Sequence, residues 1–127
     1  MTHCLIIADA AGDRHELVSM LNAHGFTVEF APSPEQALLA CRRSRPDLIM
    51  LPDTMPSMSS VEFLHRLRRT GAGGDPAVLI CASDANAASI GQAIWEGAAE
   101  CLVQPFDADI LNFKLRQVGF ASSNVAA

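Results

Sequence analysis

The residues with chemistry to offer gather around one stretch, Asp47-Leu48-Ile49-Met50-Leu51-Pro52-Asp53-Thr54-Met55-Pro56-Ser57-Met58. Leu48 to Leu51 is an apolar run closed by turn residues, as expected of a strand buried on both faces. Pro52 brings no backbone donor, so the ladder stops there or soon after. Asp53 and Thr54 then stand just past a strand's carboxyl end, the edge where open α/β sheets gather ligands. Asp9 follows another apolar run, Cys4 to Ala8, in the same way. Two carboxylates at such an edge hold a divalent ion weakly at best. Without further ligands they make a poor metal signature.

The other reactive residue types are scattered. Cysteines fall at 4, 41, 81 and 101, with no Cys-x-x-Cys pair. That spacing signals neither a zinc site nor a redox motif. Cys81 and Cys101 belong to neighbouring strand patterns and are expected to approach as paired buried thiols. His3, His15, His24 and His65 lack metal spacing and read as surface histidines. The glycines from Gly71 to Gly74 follow a helix pattern and precede a strand, the wrong order for a phosphate loop. They read as a flexible connection.

The elements that carry these residues alternate. Strand patterns run over Cys4–Ala8, Phe26–Phe30, Leu48–Leu51, Ala77–Cys81 and Glu100–Val103. Helix patterns follow each: 13–23 with Leu17, Val18, Met20 and Leu21; one begun by Ser33 and Pro34 with Ala37, Leu38, Ala40 and Cys41; one after Ser59 with Val61, Phe63, Leu64 and Leu67; 84–96 with Ile90, Ile94 and Trp95; and one after Asp107 through about 118 with Ile110, Leu111, Leu115 and Val118 facing inward. Ser33 with Gln36, Ser59 with Glu62, and Asp107 mark helix starts, and Pro34 suits a first helical position. Gly25 and Gly97 mark helix ends. Strand then helix, five times, demands a parallel sheet covered on both faces through right-handed crossovers. The fold expected is a doubly wound (βα)5 domain over residues 1–121. Residues 122–127 read as a flexible tail or the start of a linker.

Composition narrows the function. The 127 residues are half apolar and carry a net charge of −5, with a pI near 5.2. That balance argues against nucleic acid and against a membrane surface. Six of the nine cations cluster at Arg42, Arg43, Arg45, Arg66, Arg68 and Arg69, where they suit helix carboxyl ends. No charged leader precedes an apolar core at Met1, and no run reaches the roughly 18 apolar residues that span a bilayer. A cytoplasmic compartment with reduced thiols is expected.

Two segments carry a family resemblance. Pro46-Asp47-Leu48-Ile49-Met50-Leu51 with Met55-Pro56 and Met58 resembles the third strand and following loop of response-regulator receiver domains of the chemotaxis-regulator type. Gly97-Ala98-Ala99-Glu100-Cys101-Leu102-Val103-Gln104-Pro105-Phe106 resembles their fifth strand. The likeness covers about residues 3 to 120. It implies a flavodoxin-like fold with a five-stranded sheet in the order 2-1-3-4-5. It also implies a site in which acids after the first and third strands bind Mg²⁺, an oxygen-seeking cation. In that site the third-strand carboxylate takes a phosphoryl group, while a hydroxyl and a lysine stabilise its oxygens.

This chain departs from that site nearly throughout. The first-strand acid pair reads Ala8-Asp9, leaving Asp9 as the remnant of the acidic pocket. Counting back from Pro56, the phosphoacceptor position is Pro52, which cannot be phosphorylated. The switch hydroxyl is Cys81 and the switch aromatic Cys101. The lysine is Gln104, and Pro105 is kept after it. Asp53 is the possible substitute acceptor. In a regular strand it points away from the pocket, and a bulge at Pro52 would turn it in. Trp95, on the fourth helix pattern, is an interface candidate, because tryptophan anchors contacts well. The resemblance puts it on the surface of fourth helix, fifth strand and fifth helix, a face that implies a homodimer or output contact.

Three readings follow. The first is a degenerate receiver of a two-component system. It is not an enzyme, binds Mg²⁺ weakly or not at all, and acts on a protein partner or an attached output domain. The second is an active phosphoacceptor using displaced Asp53. The third is a flavodoxin-like enzyme binding a flavin or nucleotide, against which Asp9-Ala10-Ala11-Gly12 offers no glycine-rich loop after the first strand.

Overall fold

The order of apolar runs resolves into strands β1 (Thr2–Ile7), β2 (Phe26–Ala31), β3 (Leu48–Pro52), β4 (Ala77–Ala82) and β5 (Glu100–Val103). Between and after them run helices α1 (His15–Ala23), α2 (Pro34–Ser44), α3 (Ser60–Thr70) and α4 (Ala108–Gln117). The computed structural model describes residues 2–7, 15–52, 58–70, 76–82, 100–103 and 107–118. The helix expected over 84–96 lies outside them. The strands form one parallel sheet in the order β2-β1-β3-β4-β5, as the alternation and the resemblance require.

Strand periodicity sorts the core into two layers. Leu5, Ile7, Ile49, Leu51, Val78 and Ile80 face α2 and α3, where Ala37, Cys41, Phe63 and Leu64 meet them. Cys4, Ile6, Leu48, Met50, Leu79 and Leu102 face the other way, onto Leu21 of α1 and Leu111 and Leu115 of α4. All four apolar residues of β3 are buried. Burying each such side chain stabilises by about 1.5–3 kcal/mol, so β3 anchors both layers.

Helix ends follow the sequence. Ser33 Oγ accepts the Gln36 amide at 3.2 Å, Ser59 Oγ the Glu62 amide at 3.1 Å, and Asp107 Oδ1 the Ile110 amide at 2.9 Å. These bonds satisfy amides that the first turn leaves open. At the other end of α2, Arg45 takes a left-handed conformation with φ 48° and donates its amide to the Cys41 carbonyl. That conformation usually falls to glycine.

The amino edge of the sheet is fastened by Asp47. Its amide donates to the His3 carbonyl, and its Oδ2 accepts the His3 amide, both at 2.8 Å. Its carbonyl accepts the Ala77 amide at 3.0 Å. One residue thereby ties the starts of β1, β3 and β4.

Three expectations are corrected. Ile110 does not face inward; it is 44 % exposed, because Leu111 and Leu115 set the buried side of α4 and Ile110 falls well round the helix from them. His24 is buried, its Nε2–H donating to Oδ1 of Asn112, because the turn after α1 tucks beneath α4. His3 is half-buried as well. Its Nδ1 pairs with Thr27 Oγ1 at 3.0 Å and its Nε2 with Glu29 Oε1 at 3.1 Å, across the β1–β2 ladder. Finally, Cys81 and Cys101 are not a pair. Cys81 stands in register with Leu102 and Cys101 with Ile80, so the one-residue offset sends the two thiols to opposite faces.

Candidate functional site at the carboxyl edge of the sheet

Parallel strands bring their carboxyl ends to one edge, and Pro52 and Cys81 meet there. β1 reaches it at Ile7, β3 at Pro52, β4 at Cys81 and Ala82, and β5 at Val103. Pro52 pairs in register with Cys81, and Ala82 with Val103. The ladder therefore continues to Pro52 and brings it beside Cys81. Asp9, Asp53, Thr54, Trp95, Gln104 and Pro105 lie outside the described residues.

Cys81 is half-buried against the layer holding Cys4, Met50 and Leu102. None of the four cysteines is in a disulfide. Burial pushes the Cys4 thiol far up, with the Cys81 sulfur adding to it. Burial and then Glu29 push Cys41 up to about 11. A thiol held protonated is a poor nucleophile and a poor metal ligand. Among the described residues, no three of histidine, cysteine, aspartate and glutamate gather to hold a metal. No helix among them is long and apolar enough to cross a membrane.

The β5–α4 flank of the sheet, toward the amino end of β5, carries features that sequence reasoning missed. Glu100 opens β5 and meets Lys114 of α4 at 3.2 Å. The Cys101 amide, donating to Glu100 Oε1 at 3.0 Å, is the main reason its carboxyl lies below the usual range; Lys114 adds to it. Beside this bridge Phe113 is 56 % exposed, and Ile110 stands one turn before it on the same outward side. The available signal was helical spacing: fixing Leu111 and Leu115 inward puts 110 and 113 on the outer side.

The profile of the response regulator receiver domain matches residues 4–116, nearly the whole described fold. The chain belongs to that family. Among curated receiver-containing proteins it is 30% identical over 106 residues to the chemotaxis protein CheY of Bacillus subtilis, covering 83% of this chain and 87% of that one. It is 33% identical to the probable transcriptional regulatory protein TcrX of Mycobacterium tuberculosis, over 80% of this chain and 43% of that one. The two-component response regulator PhoP of Pseudomonas aeruginosa is 28% identical, over 97% of this chain and 56% of PhoP. The chain thus spans about half the length of those two regulators. Among solved structures, the chemotaxis protein CheY4 of Vibrio cholerae superposes with a TM-score of 0.81 at 25% identity, over 93% of this chain and 98% of that one. Receiver domains are signalling domains of two-component systems, and the flavodoxin-like sheet here is theirs.

Proposed function

We propose that this receiver domain is degenerate and signals by binding protein partners, without a phosphorylated aspartate. The observation behind the proposal is the residue that ends β3. Pro52 occupies the position that the receiver pattern gives to the phosphoacceptor, and a pyrrolidine ring has no carboxylate to phosphorylate. Its register neighbour Cys81 stands where the pattern has a hydroxyl. Gln104 and Ala8 replace the lysine and one acid of the pair. A phosphoryl group would then lack both its attachment point and the cation that neutralises it.

The donor set does not fit Mg²⁺ well either. Of the three oxygen donors in the receiver pattern, Pro52 and Ala8 supply none, leaving Asp9. The partner is a separate protein or an attached output domain, the latter in keeping with TcrX and PhoP being longer than this chain. A homodimer through residues 84–96, β5 and α4 is supported by the exposed Ile110 and Phe113 beside the Glu100–Lys114 bridge, with Trp95 as a further anchor. Sedimentation should then show self-association that Phe113→Ser weakens; a strict monomer would rule the dimer out.

The deciding experiment is incubation with acetyl phosphate and Mg²⁺, read by intact mass. The chain and its Asp53→Asn variant should both keep their original mass. A gain of one phosphoryl group by the wild type, lost in Asp53→Asn, would overturn the proposal in favour of a displaced acceptor.

A further inference from the structure

α2 and α3 lie side by side on one face of the sheet, and a groove of about 600 Å³ runs between them. Leu38 and Leu39 are its apolar lining, and Leu39 is 53 % exposed. Both helices return against the parallel strands, so their first turns lie at the same end. Glu35 and Glu62 sit in those first turns. Arg42 and Arg69 sit in or near the last turns, with Arg66 one turn before Arg69. The groove is therefore graded: carboxylates at one end, Leu38 and Leu39 in the middle with Arg66, which bonds Glu62, and the Arg42 and Arg69 guanidinium groups at the other.

We propose that this groove docks an acidic amphipathic segment of a partner protein. The segment sets a basic residue against Glu35 and Glu62, an apolar side chain on Leu38 and Leu39, and carboxylates against Arg42, Arg66 and Arg69. Charge complementarity selects this occupant. Cations at helix ends offset the helix dipole, but that role does not call for an uncovered leucine between them, nor for Arg66 before the final turn. A volume near 600 Å³ lies within the range of sites that seat side chains or small ligands. Nucleic acid is disfavoured because Glu35 and Glu62 line the same groove and the chain is net −5. Arg66 already meets Glu62 at 2.8 Å, so an incoming carboxylate would share that guanidinium. The groove lies across the sheet from α4, and docking there does not depend on phosphorylation at the carboxyl edge.

The test uses the whole chain and a short fluorescein-labelled helical peptide bearing a lysine, then leucines, then glutamates along one face. Fluorescence polarisation should saturate, and amide shifts should change at Leu38, Leu39, Arg42 and Arg69. Arg42→Gln/Arg69→Gln, at two exposed positions, should weaken binding about tenfold or more while the melting temperature holds. Leu39→Ser should weaken it independently of charge. A peptide with lysines in place of the glutamates should fail on the wild type and bind Arg42→Glu/Arg69→Glu. The proposal is overturned by no saturation up to about 1 mM peptide, by equal binding of the lysine peptide, or by indifference to the variants. It is also overturned if a single-stranded oligonucleotide binds the groove more tightly, or if self-association of the chain is what the arginine variants abolish.

Discussion

Lowering the pH through the histidine range should destabilise this fold, and His24 should be the cause. His24 Nε2–H donates to Asn112 Oδ1, while its Nδ1 is buried without a hydrogen-bond partner among the described residues. Neutral imidazole tolerates that, since Nδ1 then carries a lone pair. Protonation would place an N–H donor there with nothing to accept it, at a cost of about 1–3 kcal/mol for a buried unmet donor. The folded pKa is accordingly lowered from its ordinary 6.5, by burial first and by Arg116 second. The sign follows. A group whose folded pKa is depressed keeps fewer protons than the unfolded chain between the two values, so stability falls as pH falls below the unfolded value. If His24 stayed neutral throughout, linkage bounds the loss between pH 7.5 and 5.5 at about 1.4 kcal/mol. About 1 kcal/mol is expected, or roughly 3–6 °C in melting temperature. Urea unfolding at pH 7.5, 6.5 and 5.5 measures it, alongside His24→Gln, which can still bond Asn112 and does not titrate. Glu62 and Glu100 also have lowered values, but their contributions are lost only below about 4.5, outside this window. An unchanged pH slope in His24→Gln, or a wild type that gains stability on acidification, would refute the reasoning.

Three further outcomes are expected. Asp47→Ala should cost about 1 kcal/mol, because it removes a charged acceptor from the clip between β1 and β3; Asp47→Asn, which keeps an acceptor, should cost less than half as much by urea unfolding. Arg45→Gly should be more stable than Arg45→Ala by about 0.5–1 kcal/mol, since only glycine enters φ 48° without a side-chain clash, and equal midpoints would contradict this. With Ellman's reagent at pH 8, Cys81 should react before Cys4 and Cys41, whose buried thiols hold their protons; rapid labelling of Cys41 in the native protein would contradict the assigned burial.

The fold was legible because its signals are local and agree. Four apolar residues between Asp47 and Pro52 suit a strand covered on both faces, and Ser33, Ser59 and Asp107 cap the helices that their spacing announced. That Ala8, Pro52, Cys81 and Gln104 carry no carboxylate, hydroxyl or cation was legible too, since a missing functional group is a property of the residue itself. Register was not. That Cys81 meets Leu102, and so turns away from Cys101, depends on how β4 slides along β5, which no spacing within either strand records.

The same holds wherever two distant segments meet. The alternation of runs determined the parallel sheet and its two layers, because backbone periodicity fixes which side chains share a face. Only packing across the chain buried His24 beneath Asn112, 88 residues away, and joined His3 to Glu29. It was also packing that left Ile110 and Phe113 on the outer side of α4, and that set Arg42 opposite Arg66 and Arg69 across one groove. A helix has one inward side, and which residues take it is settled by the partner surface and not by apolarity alone.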